Sequence, residues 1–445
     1  MNAATDGDAY HAYLRGLAAL NSLIRGEPAG PDAPRDRRAR AIRRLERTRR
    51  LLEALGNPQD AYRTVHVTGT SGKGSTAAAI AAVLTAAGYR AGLRTSPYLQ
   101  VATEKLQIAH QLIDGHDLAA TVDDVFATAE RLGLSPLVYT EAWAALSYLW
   151  FARRKVDIAV IEVGAGGRFD TTNVITPEVS VITSVGLDHV VSLGPTLADI
   201  AWHKAGVIKP GRPVVIGELP AEALAVVRAK ATALGATVVP AHPPAALATA
   251  MPCAFQAVNV GMALATTETL AARGFTIPAG AAAAGLAAAR LPGRLERMPG
   301  SGGGVWLDGA HNADKMAALM ASLRQQLSSR PVLVVGVLGS KDIAGMAVAV
   351  AGTDSAVVAT EPQVLGNRAL PAAEVATALR AAGFAGAIHC APDPLRAVAL
   401  AETLAQARRE PVVVTGSLYL VGEVRRRWFP DDAVVTQRTP WPRRP

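Results

Sequence analysis

The chain has 445 residues, half of them hydrophobic and 18% charged, too long for one ordinary core and apolar enough for two or three. No apolar run reaches the roughly 18 residues of a membrane span, and the N-terminus MNAATDGDAYHAYLRGL is polar and acidic where a signal peptide is basic and then apolar. Cys253 and Cys390 lie far apart without metal-ligand spacing, which excludes a disulfide scaffold and predicts a soluble cytoplasmic protein with two buried thiols.

The net charge of +8 is local. Residues 35–50 (RDRRARAIRRLERTRR) hold nine arginines against Asp36 and Glu46, and the tail TQRTPWPRRP adds three, so the remainder is slightly acidic. Ile42, Leu45, Leu51, Leu52 and Leu55 recur at helical spacing, which predicts an amphipathic helix with a solvated basic face rather than a nucleic-acid site. GEPAGPDAP (26–34) reads as a loop.

Strand and helix patterns then alternate. Val65–Val67 is a short strand, Ser75–Ala87 an Ala-rich helix, Arg90–Thr95 a strand and Glu141–Ala152 a helix. Val156–Val163 and Val179–Val185 are continuous apolar runs, as expected of strands covered on both faces. Helical Thr196–Ala205 and Ala221–Leu234 flank a strand at Val214–Ile216. This is the βαβ alternation of a doubly wound parallel sheet. After Leu291-Pro292-Gly293 a second set follows. Val305–Leu307, Val332–Val337, Ala356–Ala359 and Val412–Thr415 read as strands, Ala313–Leu327 and Pro394–Ala407 as helices, and MPGSGGG (298–304) as a loop. The expected fold is α/β: an N-terminal doubly wound, P-loop-type ATPase domain (1–290) with a mostly parallel sheet, and a smaller Rossmann-like C-terminal domain (291–445).

The sharpest local signal is HVTGTSGKGST, from His66 to Thr76. A strand runs into a glycine-rich loop and a helix starts directly after it. Glycines let backbone N–H groups converge on phosphate oxygens, the helix N-terminus adds partial positive charge, Lys73 adds a full one, and Ser75 can reach a phosphate or its Mg²⁺. The spacing departs from G-x4-G-K-[ST]: Val67 stands where the first glycine belongs, and Gly74 separates lysine from serine.

This variant loop resembles that of Mur-type ligases, specifically the folylpolyglutamate synthase/dihydrofolate synthase family. AVIEVGAGGRFDTTN (159–173), SVGLDHVVSLG (184–194), HKAGVIKPG (203–211), LPGRLE (291–296), LDGAHN (307–312) and GSLYLVGEV (416–424) resemble that family's motifs, in order, over about residues 60–425. The resemblance implies an ATP-dependent ligase that adds L-glutamate to a folate, to dihydropteroate, or to both through an acyl phosphate.

That chemistry brings two anions together, so positive charge and positioning must lower the barrier, and Mg²⁺ needs hard oxygen ligands. Glu162 ends an apolar strand beside a Gly-rich turn, at the edge where α/β sheets bind ligands. By resemblance, Glu162, His189, Ser75, Ser96 and Lys204 hold two Mg²⁺ ions, a monovalent cation being a further option, with Lys204 carried as a carbamate. Lys73, Lys204, His189 and Glu162 are then the catalytic set. The resemblance assigns Gly72, Lys73, Gly74, Ser75, Thr76, Asn259, Arg294 and Asp308 to ATP. It assigns Asp170 and Thr140 to the pterin side, and His311 and Ser417 to the incoming glutamate. A monomer is implied, with small-molecule substrates and neither nucleic acid nor membrane as partner.

Four positions depart from the family pattern: Tyr98 for His, Val190 for Thr, Thr140 for an aromatic that would stack on the pterin, and His203 for an acidic residue. They concern mostly the acceptor side, so the competing readings are a related ligase for a different carboxylate and a non-catalytic ATP-binding regulator.

Overall fold

The computed structural model describes residues 3–25, 36–244, 254–300, 304–353, 356–365 and 367–443. The chain forms two compact units: residues 1–98, 102–291 and 435–439 make the first, and 99–101, 292–434 and 440–445 the second.

The first unit holds an eight-stranded sheet. Its strands are β1 (Arg63–Thr68), β2 (Ala91–Arg94), β3 (Leu106–Ile108), β4 (Gln111–Leu112), β5 (Ile158–Glu162), β6 (Val179–Ile182), β7 (Val214–Ile216) and β8 (Val238–Pro240). They lie in the order β4-β3-β2-β5-β1-β6-β7-β8. From β2 to β8 all pairings are parallel, and β3 and β4 extend the edge antiparallel. The central strands are buried apart from Arg63 because helices cover both faces, and most of their residues are apolar. Val65, Val67, Val160 and Val181 are buried with the alanines of helix Lys73–Ala86, whose small side chains let it lie close to the sheet.

Residue Val67 pairs with Glu162 on one side and Val181 on the other, so the C-terminal ends of β5, β1 and β6 are neighbours. The chain passes from β5 to β6 across β1, a crevice-forming arrangement at the carboxyl edge of the sheet.

The second unit holds a six-stranded sheet of β9 (Glu296–Arg297), β10 (Val305–Leu307), β11 (Val332–Val335), β12 (Val357–Ala359), β13 (Ile388–Cys390) and β14 (Val412–Thr415). Their order is β13-β12-β11-β14-β10-β9, parallel except for β9. Both sheets agree with the α/β expectation. Among the described residues no helix is long and apolar enough to cross a membrane.

Several expectations change. The apolar run Val179–Val185 is strand only to Ile182, because residues 183–186 turn aside to bond the glycine-rich loop. Cys390 is exposed rather than buried, since it ends the edge strand β13. Cys253, the loop at 26–34 and residues 301–303 of MPGSGGG lie outside the described residues. The basic helix forms at Arg37–Ala54, capped by Asp36, and buries Leu45, Thr48, Leu51 and Leu52, whereas Ile42 is exposed. Its basic face is not wholly solvated either. Arg47 turns inward to Glu141, whose side chain is 0% exposed, because that carboxylate needs a cation once buried.

Candidate functional site

The glycine-rich loop leaves β1 at Thr68, and the helix begins at Lys73. Gly72 sits at its N-terminus with φ 82°, a left-handed conformation that costs a side-chain-bearing residue about 1–2 kcal/mol. The loop is stitched to the segment after β6. Thr70 N donates to Ser184 O (3.0 Å), Ser71 N to Ser184 Oγ (2.9 Å), and Thr183 Oγ1 to Ser71 O (2.5 Å). A Cβ on Gly69 would collide with the Thr183 hydroxyl. Lys73 folds over the loop and donates to Gly69 O at 2.9 Å, so its ammonium stands over the cradle it is expected to serve.

A second support comes from helix Ala254–Ala272. Thr76 Oγ1 donates to Asn259 Oδ1 (3.3 Å), Asn259 Nδ2 to Gln256 Oε1 (2.8 Å), and Gln256 Nε2 to Ser75 Oγ (3.4 Å). Asn259 therefore sits directly on Gly72 and Thr76. Gln256, missed in the sequence, orients Ser75, and nothing local in AFQAVNV marks it out.

On the other side of the loop stands Glu162. Its two carboxylate oxygens lie 3.5 and 3.7 Å from where a Cβ on Gly74 would be, and Oε2 accepts from Ser96 N at 2.7 Å. Arg94, fully inside the sheet edge, donates to the Glu162 carbonyl at 2.7 Å. The structure thus gathers Glu162, Ser96, Gly74 and Ser75 at one place. Beside them is a residue that sequence reasoning missed. Lys105 is buried with its ammonium 4.5 Å from the Trp143 ring centroid, 5.0 Å from Tyr139 and 5.9 Å from Tyr98. Burial, then the Arg94 charge, push it down to about 7, with Glu162 pulling the other way. Nothing in ATEKLQI distinguishes this lysine from a surface one.

His189 is left-handed at φ 52°, with its ring half exposed 4.0 Å from Asp188. Lys204 is buried at the end of helix Leu197–Lys204, whose last two carbonyls lie against Gly167, that of His203 accepting from Arg168 N. Burial, then the charges of Arg168 and Arg38, hold His203 below the usual imidazole range. Asp170 makes an Asx-type turn, Oδ1 accepting from Thr172 N (2.9 Å) and Oγ1 (2.6 Å), and Oδ2 from Ala165 N (3.2 Å). Thr140 gives its carbonyl to Thr171 Oγ1 at 3.0 Å. Both line a cavity of about 1070 Å³ with Phe169, Trp202 and His203.

The second unit carries the remaining candidates. Asp308, just after β10, is buried and accepts from Leu295 N (2.8 Å) and Ala310 N (2.9 Å), so it pins the LPGR and LDGAHN turns together. Burial pushes its carboxyl up against the pull of Arg294. Arg294 Nη1 donates to Gly293 O at 3.3 Å. His311 lies between Gly309 O (Nδ1, 2.7 Å) and Lys315 Nζ (Nε2, 3.0 Å), and burial with Lys315 pushes it down to about 3. Ser417 is buried and caps helix Leu418–Arg425. Asn312 caps the helix after β10.

Residues 67–217 match the Mur ligase middle domain, and residues 293–418 the Mur ligase glutamate ligase domain. The chain is 37% identical over 405 residues to the folylpolyglutamate synthase of Lacticaseibacillus casei, covering 84% of this chain and 92% of that one. It is 32% identical over 414 residues to the dihydrofolate synthase/folylpolyglutamate synthase of Bacillus subtilis, covering 86% and 94%. Among solved structures, Mycobacterium tuberculosis folylpolyglutamate synthase complexed with ADP and AMPPCP superposes with a TM-score of 0.80 at 31% identity, over 87% of this chain and 96% of that one.

Proposed function

This chain belongs to the folylpolyglutamate synthase/dihydrofolate synthase family of Mur ligases, and from that premise we propose how its residues divide the work of an ATP-dependent folate glutamate ligase. The observation that carries the proposal is the Glu162 carboxylate, within 3.5 Å of Gly74's side-chain position and bonded to Ser96 N, against a loop holding Lys73.

ATP's β- and γ-phosphates lie on the N–H groups of residues 72–76, with the Lys73 ammonium swinging from Gly69 O to the phosphate. The folate carboxylate attacks the γ-phosphorus and ADP leaves, forming the acyl phosphate. The free amine of L-glutamate adds to the acyl carbon, and phosphate leaves to give the amide. Asn259 and Gln256 keep Thr76 and Ser75 in register. Arg294 and Asp308 serve the nucleotide from the second unit, His311 and Ser417 the glutamate, and Thr140 and Asp170 the acceptor. Residues 1–290 then form the ATP domain and 291–445 the glutamate-ligase domain.

The donor set fits Mg²⁺. Glu162, Ser75 and Ser96 offer hard oxygens. Among the described residues no cluster of three or more His, Cys, Asp or Glu exists, so an ion here would need waters and substrate phosphates as its remaining ligands. Glu162, His189, Ser75, Ser96 and Lys204, the last as a carbamate, would hold two ions, with room in the scheme for a monovalent cation. Mg²⁺ supplies charge neutralisation between phosphate and carboxylate. The protein is proposed to work as a cytoplasmic monomer on small molecules.

The test is turnover of purified protein with Mg·ATP, L-glutamate and either tetrahydrofolate or dihydropteroate, followed by ADP release and product mass. One glutamate added per ADP is expected, with Lys73→Ala lowering kcat at least about 100-fold. ADP release with neither pterin acceptor would refute the folate reading and favour a different carboxylate, to which the Thr140 and Tyr98 departures would then point.

A further inference from the structure

The cavity of about 1070 Å³ in the first unit has a wall that the scheme above does not use: Arg37, Arg38, Arg40 and Arg44 of the basic helix line it together with Ala41. Residues 37, 40, 41 and 44 fall on one helical face by their spacing, and the small Ala41 leaves the middle of that face open. Opposite them are Phe169 and Trp202, with the Arg38 guanidinium 5.6 and 5.0 Å from their ring centroids.

The acids lining the same cavity are already engaged within their own turns. Asp36 accepts from Ala39 N as the helix cap, Asp170 holds its Asx turn, and Asp199 accepts from Thr196 N and Oγ1. Four arginines face three aspartates in this lining, a small net positive charge in a space large enough for a small organic anion.

We propose that this arginine face binds the α-carboxylates of the glutamates already present on the acceptor, so that affinity rises with the number of glutamates it carries. The inference rests on the folate-ligase reading and adds to it the residues that distinguish acceptors by the glutamates they already carry. Dihydropteroate brings only its reacting carboxylate, tetrahydrofolate one further carboxylate, and a triglutamyl folate three. Guanidinium groups pair with carboxylates through two parallel N–H···O bonds, a geometry that lysine would not offer.

The experiment compares KM for tetrahydrofolate and its triglutamyl form in wild type, in Arg38→Gln/Arg40→Gln, and in Arg43→Gln/Arg50→Gln. The last pair removes the same charge from the same helix without touching the cavity lining. The wild type is expected to bind the triglutamyl form more tightly, and less so as salt rises. The cavity-facing pair should raise KM for that form about tenfold, with a smaller change for tetrahydrofolate. The outward pair should leave the ratio of the two KM values unchanged, and thermal unfolding of all three proteins reports on folding. Equal KM values in the wild type, or equal effects of the two double variants, would overturn the inference while leaving ligase turnover intact. Absence of turnover with any folate would remove the functional reading, and this inference with it.

Discussion

The ring of His311 is neutral in one tautomer: Gly309 O can only accept, so Nδ1 carries the hydrogen, and Nε2 offers its lone pair to the Lys315 ammonium. Protonation would set two cations 3.0 Å apart. With its folded value pushed down to about 3, the folded chain binds fewer protons than the unfolded chain below an ordinary histidine's pKa of about 6.5. Stability is therefore full above that value and drains as pH falls toward the folded value. His66, buried in β1 against Thr172 and depressed chiefly by burial, drains stability in the same direction. Urea midpoints measured from pH 6.5 down to 5 should fall, and His311→Gln should reduce that slope by about one proton, leaving the shares of His66, His110 and His203, which are depressed as well. An unchanged slope would show that the ring is accessible to protons in the folded protein. LDGAHN marks this histidine as worth watching, but its tautomer is decided by Lys315 one helical turn away and by burial that no local pattern states.

At the scale of elements, the basic helix Arg37–Ala54 shows one pattern serving three purposes. Its leucines bury one side. The first turns line the cavity. Arg47 spans to Glu141 at 2.8 Å while also donating to Leu134 O and Pro136 O. Glu141 in turn accepts from Val138 N and starts its own helix. Arg47→Ala leaves that carboxylate buried without its cation and two carbonyls without a donor, so unfolding free energy should fall by about 3–5 kcal/mol. Arg50→Ala on the exposed side should cost about 0.5 kcal/mol or less. Urea unfolding of the two variants checks this, and equal losses would contradict it. The helix and most of its apolar stripe were legible from spacing alone, Ile42 being the exposed exception. Which of the helix's eight arginines pairs with a buried carboxylate was not, because all have the same local composition and the partner 94 residues away distinguishes Arg47.

For the whole molecule, the chain visits each unit more than once, with residues 99–101 and 440–445 grouped with the second. Arg425, wholly buried there, collects these returning segments: it donates to Glu296 (2.9 Å), Gln100 Oε1 (3.1 Å) and Pro440 O (2.6 Å), while Trp441 Nε1 donates to Glu296 (2.7 Å). A chain ending at Thr439 loses the last two bonds and should be less stable by about 2–3 kcal/mol, read as an earlier thermal unfolding transition. An unshifted transition would show that the tail adds nothing.

By itself the sequence determined the two α/β sheets, their mostly parallel sense and the strand–loop–helix around the glycine-rich loop. Apolar runs, glycines and helical spacing act over a few residues, and these features need nothing more. The tertiary structure alone decided that Thr183 and Ser184 would stitch that loop, that Gln256 and Asn259 would brace it, that Lys105 would lose its solvent, and that Cys390 would keep its own. Each of those outcomes depends on what comes to lie beside a residue from far along the chain, and desolvation and hydrogen bonding are set by that neighbour.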